Sequence, residues 1–319
     1  MQNTNMSKAH LTAGKNDASF ASNGNKLVGN IFCPSDFDCL AKYPAITLAG
    51  PLGSVKEQAA GIFAEKLSGK GFVALAFDFS TQGESEGEPR NYDNPFTKGD
   101  DIQNAISFLG TLDCVNSDKI GAVGICAGAS YTAHGIISDR RVKAFATVVA
   151  HFSLREFTGY NPMISDDIRA ALLKRSNDAR QSYFQTGVAE HSGIIYPDAK
   201  SKEDLPFAGD DADDIYDYYY SRVAECWPTF RSQMATMSYD VLIKSHALNL
   251  ARDLSIPYMG VVGSEAFSKS YTDRFVDEIG HDQTEKVVLD GARHIQCYDV
   301  PAYVDQATEH LSSFFETNL

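Results

Sequence analysis

Short apolar runs recur along this chain with helix-patterned stretches between them, and no other feature narrows the choice of fold as much. The runs are Lys26–Cys33, Ala45–Ala49, Phe72–Phe77, Lys119–Ile125, Val142–Ala150, Ile256–Val262 and Lys286–Leu289. After the second, Val55, Ala59, Ile62, Phe63 and Leu67 share one helical face, and Gly69 and Gly71 stop the helix. Ile102, Ala105, Ile106 and Leu109 repeat the pattern, as do Val304, Ala307, Leu311 and Phe314 in a final helix opening near Pro301. Such alternation predicts an α/β protein: a mostly parallel twisted sheet flanked by helices, with Lys26–Cys33 as an antiparallel opening strand.

The rhythm breaks between Phe152 and Ala251, where helix-like stretches stand without a clear strand. The simplest organisation is an α/β core of residues 1–151 and 252–319, with 152–251 inserted as a helical lid. An insertion there lies at the carboxyl edge of the sheet, where doubly wound folds bind ligands. Within it, Asp210-Asp211-Ala212-Asp213-Asp214 lacks the spacing and closing Glu of a calcium loop and reads as a solvated acidic loop. Tyr216, Tyr218, Tyr219, Tyr220 and Trp227 either pack the lid helices or line a pocket.

At 319 residues with 43% hydrophobic side chains, the chain can bury one large core or two modest ones. A net charge of -14 argues against nucleic acid, because such a surface repels phosphates. Met1–Lys15 is polar with no apolar leader core, and no apolar run spans a bilayer, so no membrane partner is expected. Six cysteines without a CxxC pair read as reduced thiols and point to the cytoplasm. The oligomeric state, a homo-oligomer included, is left open.

The chemistry concentrates at Gly124-Ile125-Cys126-Ala127-Gly128, which follows an apolar run and precedes a helix carrying Tyr131, Ala133, Ile136 and Ile137. This is the pattern of a nucleophile elbow. Its sharp turn strains the central residue, and side chains at the flanking glycines would strike the neighbouring strand and helix. The helix N-terminus beneath Cys126 is expected to favour thiolate over thiol. The plainer alternative is a buried cysteine in a tight turn.

A thiol nucleophile needs a base and an oxyanion hole. Of eight histidines, His294 is best placed, just after the last apolar run and late in chain order. His151 comes too early and is expected to line the pocket; His134 sits behind the elbow as a packing or local hydrogen-bonding residue. His10, His191, His246, His281 and His310 have no motif around them. The oxyanion donors should be the backbone N–H groups of Ala127 and Leu52, with Gly53 keeping the second loop open. For the acid, Glu265 follows Ile256–Val262 most closely, with Asp273 and Asp240 as alternatives and a surface ion-paired Glu265 as the plain reading.

Taken together, Val55-Lys56-Glu57-Gln58, Phe72–Asp78, Gln82-Gly83-Glu84-Ser85, Gly87-Glu88-Pro89-Arg90, the elbow, Gly263-Ser264-Glu265-Ala266, Gly291-Ala292-Arg293-His294 and Tyr298-Asp299 make a specific set. The sequence resembles the dienelactone-hydrolase-like branch of the α/β-hydrolase superfamily, particularly bacterial hydrolases related to fungal polyketide-shortening hydrolases. The resemblance implies the α/β-hydrolase fold, a nucleophile at Cys126 and a base at His294. The chain departs from the superfamily at the acid, since the common Gly-x-x-Asp would put Asp at Ala266.

The expected reaction is attack by Cys126 on an ester, lactone or thioester of a small-molecule substrate. It would proceed through an acyl-enzyme and call for neither metal nor organic cofactor. Acyl transfer is a second reading, since polyester synthases also carry Gly-x-Cys-x-Gly. A non-catalytic binding protein is a third, suggested by Ala266.

Overall fold

The computed structural model describes residues 11–157, 165–195, 201–205, 209–222 and 226–319. His10, Asp198 and the first residues of the Met1–Lys15 segment lie outside the described residues. Apolar stretches with residues buried on both faces form the centre of the sheet: β3 (Tyr43–Ala49), β4 (Val73–Phe77), β5 (Val115–Ile125) and β6 (Val142–Val148). They are flanked by β1 (Gly14–Ser22) and β2 (Asn25–Cys33) on one side, and by β9 (Tyr258–Gly263) and β10 (Thr284–Leu289) on the other. The order is β1-β2-β4-β3-β5-β6-β9-β10. β2 runs antiparallel to both its neighbours, and every pairing from β4 to β10 is parallel. All-apolar strands of this kind must be covered on both faces.

Helices supply the cover. α1 (Ala59–Ser68) and the final helix (Pro301–Asn318) pack together, while α2 (Pro95–Leu109) packs on α3 (Gly128–Ile136). Gly121 in β5 lacks the side chain that would fill Phe315's place: a Cβ there would lie 2.6 Å from its ring. Asn94 caps α2 by accepting from the N–H groups of Phe96 and Thr97, with Pro95 in the first turn where its missing N–H does no harm.

Between β6 and β9 the chain forms a long helix, Asp166–Thr186, capped by Ser165 and closed by Gly187 in the left-handed region. A shorter one spans Asp210–Tyr216, so the acidic run expected as a loop is helical. Two short strands absent from the sequence reading, β7 (His191–Gly193) and β8 (Gln233–Ala235), pair antiparallel here. β1 is likewise an addition, its alternation being too polar to stand out in the sequence. Among the described residues, no helix is long and apolar enough to cross a membrane.

One buried ion pair ties three parts of the fold together. Lys98 of α2 lies 2.5 Å from Asp93 Oδ2, and both side chains are almost wholly inaccessible. Asp93 Oδ1 accepts from the Tyr131 hydroxyl of α3 at 2.8 Å, Oδ2 accepts from Gln82, and the Asp93 N–H donates to Ser238 Oγ. Lys98 also lies over the rings of Phe79 and Tyr131. Removing one charge of such a pair strands the other in the core. Lys98→Met is expected to lower the unfolding free energy in urea by about 3–5 kcal/mol, with Asp93→Asn/Lys98→Met losing less than Lys98→Met alone.

Candidate active site

The carboxyl ends of β3, β5, β6, β9 and β10 converge at one edge, and the turns leaving them carry the site. Cys126 leaves β5 with φ of 53°, a left-handed conformation rare for a residue with a side chain. Its neighbours explain how the turn is held. A Cβ on Gly124 would lie 2.5 Å from the Ala129 Cα, and one on Gly128 would lie 2.2 Å from the Ala49 carbonyl oxygen. The Cys126 N–H donates to Val148 O at 3.1 Å, and its carbonyl accepts from the N–H groups of Ala129 at 3.0 Å and His151 at 2.9 Å.

This turn leaves Cys126 partly exposed, with Sγ facing the N–H groups of Leu52 and Ala127 and the hydroxyl of Tyr298. The two expected oxyanion donors therefore meet at the thiol. The loop that carries Leu52 is pinned four residues later, where wholly buried Asp78 accepts from the Lys56 N–H at 2.7 Å and the Glu84 N–H at 2.9 Å and pairs with Lys56 Nζ at 3.1 Å. Gly83 is required there, because a Cβ would strike the Asp78 carboxylate at 2.2 Å.

Burial pushes the Cys126 thiol up to about 11, against the pull of Tyr298, Ala127 and Leu52 toward the thiolate. Burial thus works against the thiolate that the helix N-terminus is expected to favour, and it is the largest influence on this sulfur.

His294 is 1% exposed, with its ring stacked on Phe267. Its Nε2 lies 2.8 Å from the Tyr298 hydroxyl and its Nδ1 lies 2.6 Å from Ser268 Oγ. Burial, helped by nearby His151, lowers its proton affinity well below the ordinary histidine range. His151 lines the same pocket, and burial holds it down to about 4. His134 bonds Ser245 through Nε2, as a local partner behind the elbow.

The structure brings none of the three candidate carboxylates to His294. Glu265 is exposed and its described bond is from its backbone N–H to the Ala292 carbonyl. Asp273 pairs with Lys269 and Lys286, and Asp240 with Arg180. Instead the turn after β9 delivers Ser268 to Nδ1. The sequence offered no signal for this, since a serine there looks like any helix-start residue. Tyr298 was also passed over, although it stands four residues after His294, one helical turn away.

Leu52, Cys126, His151, Ile195, Ile215, Tyr219, Phe267, His294, Ile295 and Tyr298 line a narrow pocket of about 30 Å³, room for roughly one water molecule. Tyr219 thus lines the pocket, while Tyr216 stacks on Tyr220. Residues 209–222 lie across the cavity and are held by arginines. Arg293 clasps Asp214 at 2.7 and 3.0 Å and reaches Asp210 at 3.2 Å; Arg222 bonds Asp217 at 2.8 Å and Asp299 at 2.5 Å. A wider hollow of about 910 Å³ runs along β1 and β2, away from Cys126 and His294. Among the described residues, no cluster of three or more His, Cys, Asp or Glu side chains is arranged to hold a metal.

No protein-family model matches the chain. It is similar to the uncharacterized protein YcjY of Escherichia coli (strain K12), 37% identical over 310 residues that cover 95% of this chain and 99% of the other. It is 26% identical to the thiohydrolase AneE of Aspergillus aculeatus over 234 residues, covering 73% of this chain and 70% of that one. The crystal structure of the α/β hydrolase GrgF from Penicillium sp. sh18 superposes with a TM-score of 0.78 at 19% identity, covering 95% of this chain and 98% of that one. With this strand order, a strained residue on a glycine-flanked turn after β5 and a near-full-length relative, the chain belongs to the α/β-hydrolase superfamily.

Proposed function

We propose that this protein is a hydrolase that cleaves an ester-type bond, a thioester foremost, through nucleophilic attack by Cys126. The observation that carries the reading is the surroundings of Sγ: two backbone N–H donors on one side and a hydroxyl–imidazole chain on the other. As the sulfur attacks, the carbonyl oxygen becomes an anion, and preorganised N–H groups in a dry site stabilise it most when the charge is complete. Collapse expels the alcohol or thiol and leaves an acyl-Cys126. His294 then draws a proton from water, which clears the acyl group.

Ser268 takes the acid's place on Nδ1. A serine fixes the imidazole's tautomer and orientation, but it cannot balance the imidazolium charge as a carboxylate would. The pocket wall is chiefly aliphatic and aromatic, and among the described residues no lysine, arginine or carboxylate is in its lining. That favours an uncharged, apolar acyl group. The thioester preference is supported by the relative that is a thiohydrolase. Beside Cys126 the pocket holds only about 30 Å³, and residues 209–222, which give Ile215 and Tyr219 to its wall, would act as a lid whose shift makes room for an acyl group.

Cys126→Ala is expected to cut turnover of p-nitrophenyl butyrate and of a butyryl thioester by about three orders of magnitude or more while the protein stays folded. Turnover equal to the parent protein's would sink the nucleophile assignment. Ser268→Ala removes one hydrogen bond to a ring that becomes charged, and should lower kcat roughly ten- to hundredfold with little change in KM. An unchanged kcat in steady-state assays would show that Nδ1 needs no partner.

A further inference from the structure

His294 is not aimed at the sulfur. Its Nε2 is occupied by the Tyr298 hydroxyl at 2.8 Å, and it is the same hydroxyl that faces Cys126 Sγ. Tyr298 is 1% exposed, sits on the single-turn helix Gln296–Asp299, and is packed edge-on against His294 and Tyr218. An ordinary packing tyrosine would present its hydroxyl to water or to a carbonyl. This one bonds the imidazole and lines the same pocket as the thiol.

We propose that Tyr298 is a catalytic residue that relays the proton between Cys126 and His294, a role that rests on Cys126 being the nucleophile. The hydrogen-bond order sets the direction. Ser268 Oγ lies 3.4 Å from the Val149 carbonyl, which can only accept, so the hydroxyl points there and Oγ accepts from His294 Nδ1–H. Nε2 is then unprotonated and accepts from the Tyr298 O–H. The phenol oxygen, which also has the Tyr219 hydroxyl beside it, keeps a lone pair that can take the thiol proton, and once the sulfur is a thiolate the same hydroxyl stabilises it.

The step balances. The S–H bond breaks as its proton forms a bond to the Tyr298 oxygen, while the original Tyr298 O–H proton passes to Nε2. The products are a thiolate and an imidazolium, with Tyr298 neutral before and after. The sulfur's freed electron pair forms the S–C bond, and the carbonyl π pair moves onto the oxygen held by Leu52 and Ala127. When the tetrahedral species collapses, the carbon–leaving-group bond breaks, and the leaving group takes back one proton along the reverse path. Burial disfavours the phenolate strongly, so Tyr298 does not store the charge. It exchanges one proton for another, and the separated charges rest on the sulfur and the imidazole.

The test is a double-mutant cycle on p-nitrophenyl butyrate hydrolysis with Tyr298→Phe, His294→Ala and the pair. Phe keeps the ring and deletes only the relay atom. Tyr298→Phe is expected to lower kcat/KM by about 10²–10³-fold at an unchanged melting temperature. The double variant should be no slower than His294→Ala, because two links of one chain fail together. Parent-like kcat/KM in Tyr298→Phe, or losses that multiply in the double variant, would overturn the relay. If Tyr298→Phe does not fold, the proton inventory of kcat/KM for the parent enzyme in H2O–D2O mixtures decides instead. A bowed plot means two protons in flight, and a straight line overturns the relay. An active Cys126→Ala would mark failure of the nucleophile reading itself, separately from anything Tyr298→Phe does.

Discussion

Cys126 is held at φ of 53° between two glycines that the surrounding backbone would not let be anything else. A non-glycine residue in this region carries strain of about 1–3 kcal/mol, and it persists only where neighbours over-determine it. Here the neighbours are the Ala49 carbonyl at the end of β3, the first turn of α3 and the backbone beyond β6, each bonded to or abutting the turn. The same crowding sets the Ala127 N–H beside the sulfur and brings the loop after β3 close enough for Leu52 to complete the pair. The thiol and the two N–H groups it faces are thus consequences of one turn.

The second theme is the competition between burial and charge. Sulfur and imidazole are both pushed to their neutral forms, so the resting site holds no ion pair. In the proposed reaction, activation would be tied to the arrival of a carbonyl that can absorb the developing charge. One corollary concerns the binding-protein alternative. A raised thiol pKa by itself slows reaction of Cys126 with a small electrophile at neutral pH, so slow labelling does not separate a dead site from a working one.

Much of this was legible in the sequence where the signal is local. The strands at 45–49, 73–77 and 142–148 are nearly pure apolar runs, and Gly-Ile-Cys-Ala-Gly announces its turn because each glycine answers to a steric demand within a few residues. That Leu52 and Ala127 would lie beside Cys126, and that His294 would share its pocket, could be read from the turn and from the place after the last strand. Ser268 and Tyr298 were not legible. Their roles depend on where the turn after β9 and the one-turn helix after His294 aim a hydroxyl, and no short-range pattern encodes that aim. β7 and β8 were missed because three-residue strands leave no periodicity. Glu265 was chosen by proximity in sequence, but its side chain points to solvent while the buried register belongs to Ser268.

The arginine clasps over the pocket have a mechanical side. Arg293 precedes His294 and Asp299 follows Tyr298, so each residue that bonds the other across the site is also joined by a peptide bond to an anchor of the covering segment 209–222. Raising that segment far enough to part the clasps pulls on the backbone at both ends of the His294–Tyr298 bond. With residues 209–222 as the proposed lid and Tyr298 as the proposed relay, access from outside and alignment within would share one degree of freedom.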